Sequence, residues 1–458
     1  MVRKVTMPVV LISFLIVVLG TISIPTTTAF ANPFTNKISA NHASLFPKIS
    51  PPPPPNFENL RTFLTEGDAV AIWSPNQKIV FSHNLTRQMI PASTLKVLTC
   101  LFAFETLGAN SQFKTEFYTN ENGTLKIKGY GDPFLTTEEL ITIIQAIKPL
   151  MPSYTALVID DTYFDRISDA DGRSNSFKAY DVPTGAFCVN FNTVTFRQQS
   201  TKTIKNGKKT YTEYTYVSDD KIPLPIFDSV LPRIKASKLS QGRIMVSGSR
   251  DGNLNYAGQV FQYLSQQEGI DATGTIEAGT ILPTDKLIYT HISSKTVADA
   301  VQQTLHVSSN YIANQLFLLS GAKLKGAPAS YPQSAKAMLE KASSLGLSGI
   351  ALLEGSGLSR QNMISPIEMK YILDAFVPYR TYLRQRDGLW YKTGTLTGVS
   401  CLVGFIDSTD GWYTFTIFRR SANQKAFTIA DEMRKEIAIS VLPVSISAIL
   451  TSDREQDE

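Results

Sequence analysis

The chain has few of the side chains that build metal sites or disulfide frameworks. Its 458 residues include three cysteines and four histidines. No His-Glu-x-x-His or Cys-x-x-Cys pattern occurs, and the histidines lack the spacing of metal ligands. The odd cysteine number excludes a complete disulfide framework, so we expect buried free thiols, with one bridge among Cys100, Cys188 and Cys401 as the alternative. We expect no metal and no cofactor, and a fold stabilised by its hydrophobic core.

Charge of one sign and long apolar runs are also scarce. The formal net charge is +5, and no basic stripe interleaved with aromatics occurs, which argues against nucleic acid as a partner. The run PVVLISFLIVVLG follows Arg3 and Lys4 and precedes a small-x-small site at residues 29–31. It is shorter than the roughly 20 residues that a membrane-spanning helix needs. We predict a cleaved signal peptide over residues 1–31, no stable membrane span afterwards, and an exported protein of the periplasm or cell envelope. An uncleaved anchor is the alternative.

The rest of the chain reads as one divided domain. A strand pair and an apolar helix come first, strand-like segments dominate the middle, and helical patterns with two final strands follow. This order predicts an α+β fold interrupted by a β-rich insertion. The predicted segments are a proline-rich flexible linker over 32–58, a discontinuous catalytic domain over 59–111 and 288–445, the insertion over 112–287, and an acidic tail over 446–458.

A serine three residues before a lysine is the first candidate for chemistry. The pattern occurs four times, at Ser93, Ser111, Ser218 and Ser320, but only Ser93 opens a long apolar helix pattern. Residues three apart are neighbours on a helix, so Lys96 would meet the Ser93 hydroxyl. Burial would push Lys96 towards its neutral form, which can accept the serine proton and so activate a nucleophile without histidine. The alternative is a lysine that extends to solvent.

Two further motifs make the pattern more specific. Ser308-x-Asn310 lies in a helical region, although Ser-x-Asn occurs five times in the chain. Lys392-Thr393-Gly394 occurs once, at the start of a strand. The three motifs in this order are much more specific than any one of them, and they are those of β-lactamases and penicillin-binding proteins.

Longer segments carry a family resemblance from about residue 59 to 437. They are GYGDPFLTTEEL, VIDDTYFD, YDVPTGAFCVNFN, EGSGLSRQNMISP and KTGTLTGVSCLVGFI. The chain resembles the D-alanyl-D-alanine carboxypeptidase/endopeptidase family of low-molecular-mass penicillin-binding proteins. It is most similar to the subgroup with inserted domains, because 214 residues lie between Ser93 and Ser308. A β-lactamase has a far shorter gap.

The resemblance implies a penicillin-binding, serine β-lactamase-like domain, with an antiparallel sheet flanked by helices. It also implies roles for the motif residues. Ser93 would be acylated and Lys96 would be its base. Ser308 would relay a proton to the leaving group, Asn310 would hold the substrate amide, and Lys392 would supply positive charge near the terminal carboxylate.

Four more positions receive roles from the same resemblance. The Thr393 hydroxyl would bind the terminal carboxylate, and Gly394 would leave room for a substrate along the strand. The backbone N–H groups of Thr395 and of the nucleophile would form an oxyanion hole. Arg360 would approach a side-chain carboxylate of the stem peptide, with a structural surface arginine as the alternative. Glu354 stands where the family usually has Asp.

The implied function is that of an exported serine DD-peptidase acting on peptidoglycan stem peptides, with β-lactam antibiotics as covalent inhibitors. It would cleave the terminal D-Ala-D-Ala bond, D-Ala cross-links, or both. Two alternatives stay open. A serine β-lactamase would differ in its fast deacylation, and a non-catalytic peptidoglycan-binding scaffold would keep the fold without acylation.

Overall fold

The computed structural model describes residues 54–174, 176–206, 209–420 and 425–441. The predicted signal peptide, nearly all of the linker and the acidic tail lie outside these residues. Within the described ranges, no helix has both the length and the apolar character needed to cross a bilayer.

The secondary structure follows the predicted order of strands and helices. The strands are β1 Ala69–Trp73, β2 Ile79–His83, β3 Gln112–Thr119, β4 Thr124–Gly129, β5 Ser153–Asp160, β6 Thr193–Asn206, β7 Lys209–Ser218, β8 Gln241–Met245, β9 Asp271–Ala278, β10 Lys286–Thr296, β11 Arg384–Arg386, β12 Leu389–Leu396, β13 Val399–Ser408 and β14 Gly411–Arg419. The helices are α1 Lys96–Leu107, α2 Thr137–Ile147, α3 Leu231–Ser237, α4 Arg250–Gln267, α5 Val297–His306, α6 Asn310–Lys325, α7 Tyr331–Ser343, α8 Pro366–Phe376 and α9 Ala426–Val441.

A six-stranded antiparallel sheet forms the centre of the catalytic domain, in the order β11-β12-β13-β14-β1-β2. Successive side chains of a strand point to opposite faces, and β13 shows this clearly. Cys401, Val403 and Phe405 pack in the core that holds the helices α1, α5, α6 and α8. Leu402 and Ile406 pack in a second core with α9. The predicted α+β class with an antiparallel sheet flanked by helices is confirmed.

Local signals in the sequence fix where the helices begin. Thr296 and Asp299 form a reciprocal capping box at the start of α5, in which each side chain binds the other's backbone N–H. The Ser309 hydroxyl accepts from Ile312 N, so α6 begins at Asn310. The helical region that contains the second motif therefore divides into α5 and α6, with Ser308 between them and Asn310 at the start of α6.

The insertion contains two sheets and more helix than the sequence predicts. One sheet has the order β10-β3-β4-β5-β9, in which β4 pairs parallel with β5 and β5 parallel with β9. The other has the order β7-β6-β8. Helix α4, an 18-residue helix, was not expected, because Gly252, Gly258 and its polar residues weaken the helical pattern. The boundary at 287/288 stays a prediction, and β10 crosses it to pair with β3.

A buried ion pair joins Asp68, the residue before β1, to Arg419, the last residue of the neighbouring strand β14. Arg419 Nη2 lies 3.0 Å from Asp68 Oδ2, with the two side chains 1% and 0% exposed. Asp68 also accepts hydrogen bonds from the backbone N–H groups of Thr65 and Arg420. Removing one partner of such a pair leaves an uncompensated charge inside the protein. The resulting loss of folding free energy is larger than the net stabilisation that the intact pair provides.

We expect Arg419→Ala to lower the free energy of unfolding by about 3–5 kcal/mol, measured by urea denaturation. Arg386→Ala is the matched control, because its ion pair with Asp431 is 48% and 41% exposed. Exposed pairs contribute about 0–1 kcal/mol. Equal effects of the two substitutions would contradict the structural importance assigned to the buried pair.

Candidate active site

The Ser93 motif lies on a short 3₁₀ turn, Ala92–Leu95, and α1 begins at Lys96. Ala92 has a φ of 46°, a left-handed conformation that costs energy in a non-glycine residue and often marks functional sites. The Thr94 hydroxyl donates to the Pro91 carbonyl at 2.7 Å and holds the turn. Ser93 therefore lies on a tight turn, three residues before the first residue of the regular helix.

The Lys96 amine is completely buried and surrounded by oxygen acceptors. Its Nζ lies 2.9 Å from Ser93 Oγ, 2.8 Å from Asn310 Oδ1 and 2.6 Å from the Ser356 carbonyl. An ammonium group has three N–H donors, and each has a partner here. The structure brings the first and second motifs together around this one nitrogen.

Burial governs the charge of Lys96. Loss of water around the amine lowers its pKa to about 8, and the negative charge of Glu354 opposes this shift. The amine is therefore neutral in a substantial fraction of molecules near pH 8. In that form it has a lone pair that can accept the Ser93 proton.

A second serine–lysine pair lies beside the first. Lys392 Nζ donates to Ser308 Oγ at 2.8 Å and to the Thr393 carbonyl at 2.8 Å. Ser308 has a φ of 58° in the junction between α5 and α6. Burial, followed by the positive charge of Lys96, lowers the pKa of Lys392 well below its usual value. Lys392 thus contacts the second motif directly.

Two backbone carbonyls complete the site, and sequence analysis did not find them. Asn310 Nδ2 donates to the carbonyl of Tyr180, in the inserted segment, at 3.1 Å. The Ser356 carbonyl accepts from Lys96, as described above. The sequences of the segments YDVPTGAF and EGSGLS resemble the family, but any residue type has a carbonyl, so the sequence does not reveal a contribution made by the main chain.

Glu354 shapes the loop that presents the Ser356 carbonyl. Its buried carboxylate accepts from Ser356 N at 2.7 Å, Ser356 Oγ at 2.6 Å, Ser359 N at 3.2 Å and Asn362 Nδ2 at 2.8 Å. Glu354, which stands where the family usually has Asp, therefore affects Lys96 in two ways. It holds the loop that presents the Ser356 carbonyl, and its negative charge opposes the lowering of the Lys96 pKa.

Gly394 lies where β12 packs closely against the turn that carries Ser93. A Cβ atom there would lie 2.6 Å from the Pro91 carbonyl oxygen and 3.0 Å from Ser93 N. Real Cβ atoms do not approach backbone so closely, so the glycine lets β12 pack against the nucleophile's turn. The predicted second role of Gly394, leaving room for a substrate along the strand, stays a prediction.

The remaining predicted residues lie around the rim. Thr393 is half-buried and Thr395 is exposed, both on β12. Arg360 Nη2 donates to the Thr397 carbonyl at 2.6 Å, in the turn that follows β12. The structure therefore places Arg360 beside the end of this strand, and its contact there is with the protein's own backbone.

The predicted free thiols are also observed. Cys100, Cys188 and Cys401 are all buried and unbridged. Burial raises the pKa of each thiol, so all three are protonated and unreactive.

The fold and the two serine–lysine pairs define a serine hydrolase of the penicillin-binding class. Residues 66–389 match the model of the D-Ala-D-Ala carboxypeptidase 3 (S13) family, and the chain belongs to this family. It is a serine-type D-Ala-D-Ala peptidase. The matched region ends three residues before Lys392, so the third motif rests on the sequence and on the geometry described above.

Known proteins of similar sequence and fold agree with this assignment. The chain is 24% identical over 413 residues to the D-alanyl-D-alanine carboxypeptidase DacB of Haemophilus influenzae, covering 78% of this chain and 86% of DacB. A crystal structure of penicillin binding protein 4 (dacB) from the same organism has a TM-score of 0.67 at 22% identity, covering 83% and 99% of the two chains. A complex of that protein with a novel β-lactam has a TM-score of 0.62 at 20% identity, covering 81% and 94%.

The lowered pKa of Lys96 predicts how acylation depends on pH. Only the neutral amine can accept the Ser93 proton, and it predominates above a pKa of about 8. The rate constant for acylation by benzylpenicillin should rise about tenfold per unit below that pH and level off above it. Stopped-flow or quenched mass spectrometry measures this rate.

Lys96→Arg is the control, because a guanidinium stays protonated at every accessible pH. This variant should show no acylation at any pH. A wild-type rate that is flat between pH 6 and pH 8 would contradict the proposal that Lys96 is the base.

Proposed function

We propose that Ser93 is the acylated nucleophile and Lys96 its general base. The Ser93 oxygen attacks the carbonyl carbon of the penultimate D-alanine, and its proton passes to Lys96. The ester bond to Ser93 forms as the amide C–N bond breaks, and water then hydrolyses the ester to free the serine. The observation that carries this proposal is the 2.9 Å contact between Ser93 Oγ and the buried Lys96 amine.

The second pair has the geometry of a proton relay. The nitrogen that leaves must gain a proton. The Ser308 hydroxyl can donate one to it and take another from the protonated Lys392 amine, to which it is hydrogen-bonded. The lowered pKa of Lys392 favours a neutral amine in the free protein. A substrate carboxylate beside it would favour the protonated form again, because an opposite charge raises a lysine's pKa.

The rim residues bind the substrate in this proposal. Thr393 binds the terminal carboxylate, and Asn310 holds the substrate amide with its second N–H. The N–H groups of Ser93 and Thr395 stabilise the oxyanion, supported by the close approach of Gly394 to Ser93 N. Arg360 binds a side-chain carboxylate of the stem peptide after leaving the Thr397 carbonyl.

The substrates in this proposal are peptidoglycan stem peptides, and the protein acts after export, in the periplasm or cell envelope. The proposed signal peptide over residues 1–31 supports the location. Cleavage of the terminal D-Ala-D-Ala bond and cleavage of a cross-link use the same acyl-enzyme and differ in the amine that leaves. β-Lactam antibiotics acylate Ser93 in place of the peptide, and the adduct persists because its deacylation is slow.

Benzylpenicillin should add its whole mass to residues 32–458, and Ser93→Ala should abolish the adduct, as read by intact-mass spectrometry over time. Ser320→Ala is a matched control from another Ser-x-x-Lys pattern. Its hydroxyl is buried in α6 without a hydrogen-bond partner among the described residues, so its loss should leave both fold and acylation unchanged.

The other outcomes separate the alternatives. Rapid conversion of the penicillin with no lasting adduct would identify a β-lactamase. An unmodified wild-type protein with intact penicillin would remove the catalytic proposal and leave a scaffold.

A further inference from the structure

A cavity of about 300 Å³ opens directly beside the second motif. One wall comes from the junction of α5 and α6, where Ser308 and Asn310 lie. The opposite wall belongs to the insertion. Its side chains are those of Tyr180, Phe191, Thr193 and Arg243. The proposed roles of the three motifs use none of these four side chains.

Arg243 is the charged group of this cavity, and it is held in place. Its Nε donates to Thr193 Oγ1 at 2.8 Å, and its guanidinium carbon lies 5.2 Å from the centre of the Phe191 ring. Burial lowers the pKa of Arg243, and the charge of Asp220 offsets part of this effect. Arginine nevertheless keeps its positive charge at any physiological pH.

The guanidinium has no counter-ion within the part of the chain that the structure describes. Asp220 influences Arg243 without forming an ion pair, and the Nε hydrogen bond leaves both terminal nitrogens available. A fixed, partly desolvated guanidinium with free terminal nitrogens binds a carboxylate through two parallel hydrogen bonds. This cavity is therefore built for an anion, and a carboxylate matches the geometry of its cation.

A second cavity of about 260 Å³ continues beyond Arg243 and shares Phe191 and Thr193 with the first. Asp220, Glu138 and Lys221 also line it. Its two carboxylates outnumber the ammonium group of Lys221, which makes an anion less favourable there than beside Ser308. A carboxylate is accordingly expected on the side of Arg243 that faces Ser308.

The position of Ser308 indicates which part of a substrate enters the cavity. In the proposed mechanism, Ser308 protonates the nitrogen that leaves, so the peptide attached to that nitrogen begins beside Ser308. A single leaving D-alanine has its carboxylate at Thr393 and does not use Arg243. A longer leaving peptide, released when a cross-link is cut, continues from Ser308 into the adjoining cavity.

We propose that this cavity binds the leaving peptide of a cross-linked stem-peptide dimer, and that Arg243 binds a carboxylate of that peptide. The inference rests on the proposed function and extends it to a preference for cross-linked substrates. No new chemical step is involved: the amide C–N bond breaks, the ester to Ser93 forms, and the proton goes to the leaving nitrogen.

The test compares Arg243→Gln with wild type on two substrates, a stem peptide ending in D-Ala-D-Ala and a cross-linked peptide dimer. We expect kcat/KM for the dimer to fall about tenfold or more, since the substitution removes a charge-assisted hydrogen bond to the leaving peptide. Hydrolysis of the monomeric peptide and acylation by benzylpenicillin should stay within about twofold, because neither reaches Arg243. Arg197→Gln, on the neighbouring strand β6 and in an exposed pair with Asp219, should change none of these.

A dimer whose leaving peptide keeps the carboxylate next to the leaving nitrogen but has its other carboxylates amidated isolates the interaction with Arg243. Wild type should cleave it about as slowly as Arg243→Gln cleaves the normal dimer, and the substitution should have little further effect. Unchanged dimer cleavage in Arg243→Gln, an equal loss on both substrates, or a wild type that cuts only the monomer would overturn the proposal. A wild type that is neither acylated nor active on either substrate would instead refute the proposed function.

Discussion

The burial of one amine is the constraint on which the rest of the catalytic centre depends. Lys96 follows a strained turn at the start of a helix that is buried on every side, so its nitrogen cannot reach water. Each N–H must find a protein acceptor, because an unpaired buried donor is costly. Three chain segments supply them: the nucleophile's own turn, the start of α6, and the loop at Ser356. The hydrogen bonds to this amine hold the first and second motifs next to each other.

The insertion takes part in this arrangement and is more than an appendage. The Tyr180 carbonyl fixes the amide of Asn310, which in turn accepts from Lys96. The Ser359 hydroxyl donates to Asp171, so the loop that follows Ser356 is also held from the insertion. A long interruption between two motifs would ordinarily separate them in function as well as in sequence. Here the interrupted domain depends on it for the orientation of its own catalytic groups.

Side-chain chemistry at regular spacing could be predicted from the sequence. The i, i+3 spacing placed Lys96 beside Ser93, and the single Lys-Thr-Gly identified Lys392. The main-chain acceptors of Tyr180 and Ser356 could not be predicted, since any residue type carries a carbonyl. Helix α4 could not be predicted, because its glycines and polar residues obscure the helical spacing of its apolar residues. The close packing at Gly394 could not be predicted either, because it depends on the distance between two segments that are far apart in sequence.

Two glycines confine the nucleophile's turn from opposite sides. A Cβ atom at Gly357 would lie 1.9 Å from the Ala92 carbonyl oxygen, just as one at Gly394 would lie 2.6 Å from that of Pro91. The backbones at Gly357 and Gly394 both pack directly against the turn, and neither position has space for a side chain. Backbone packing therefore fixes the position of this turn before any ligand binds. A ligand must therefore fit the existing shape of this turn. A rigid, ring-shaped acylating agent that already has the right curvature loses little conformational entropy on binding.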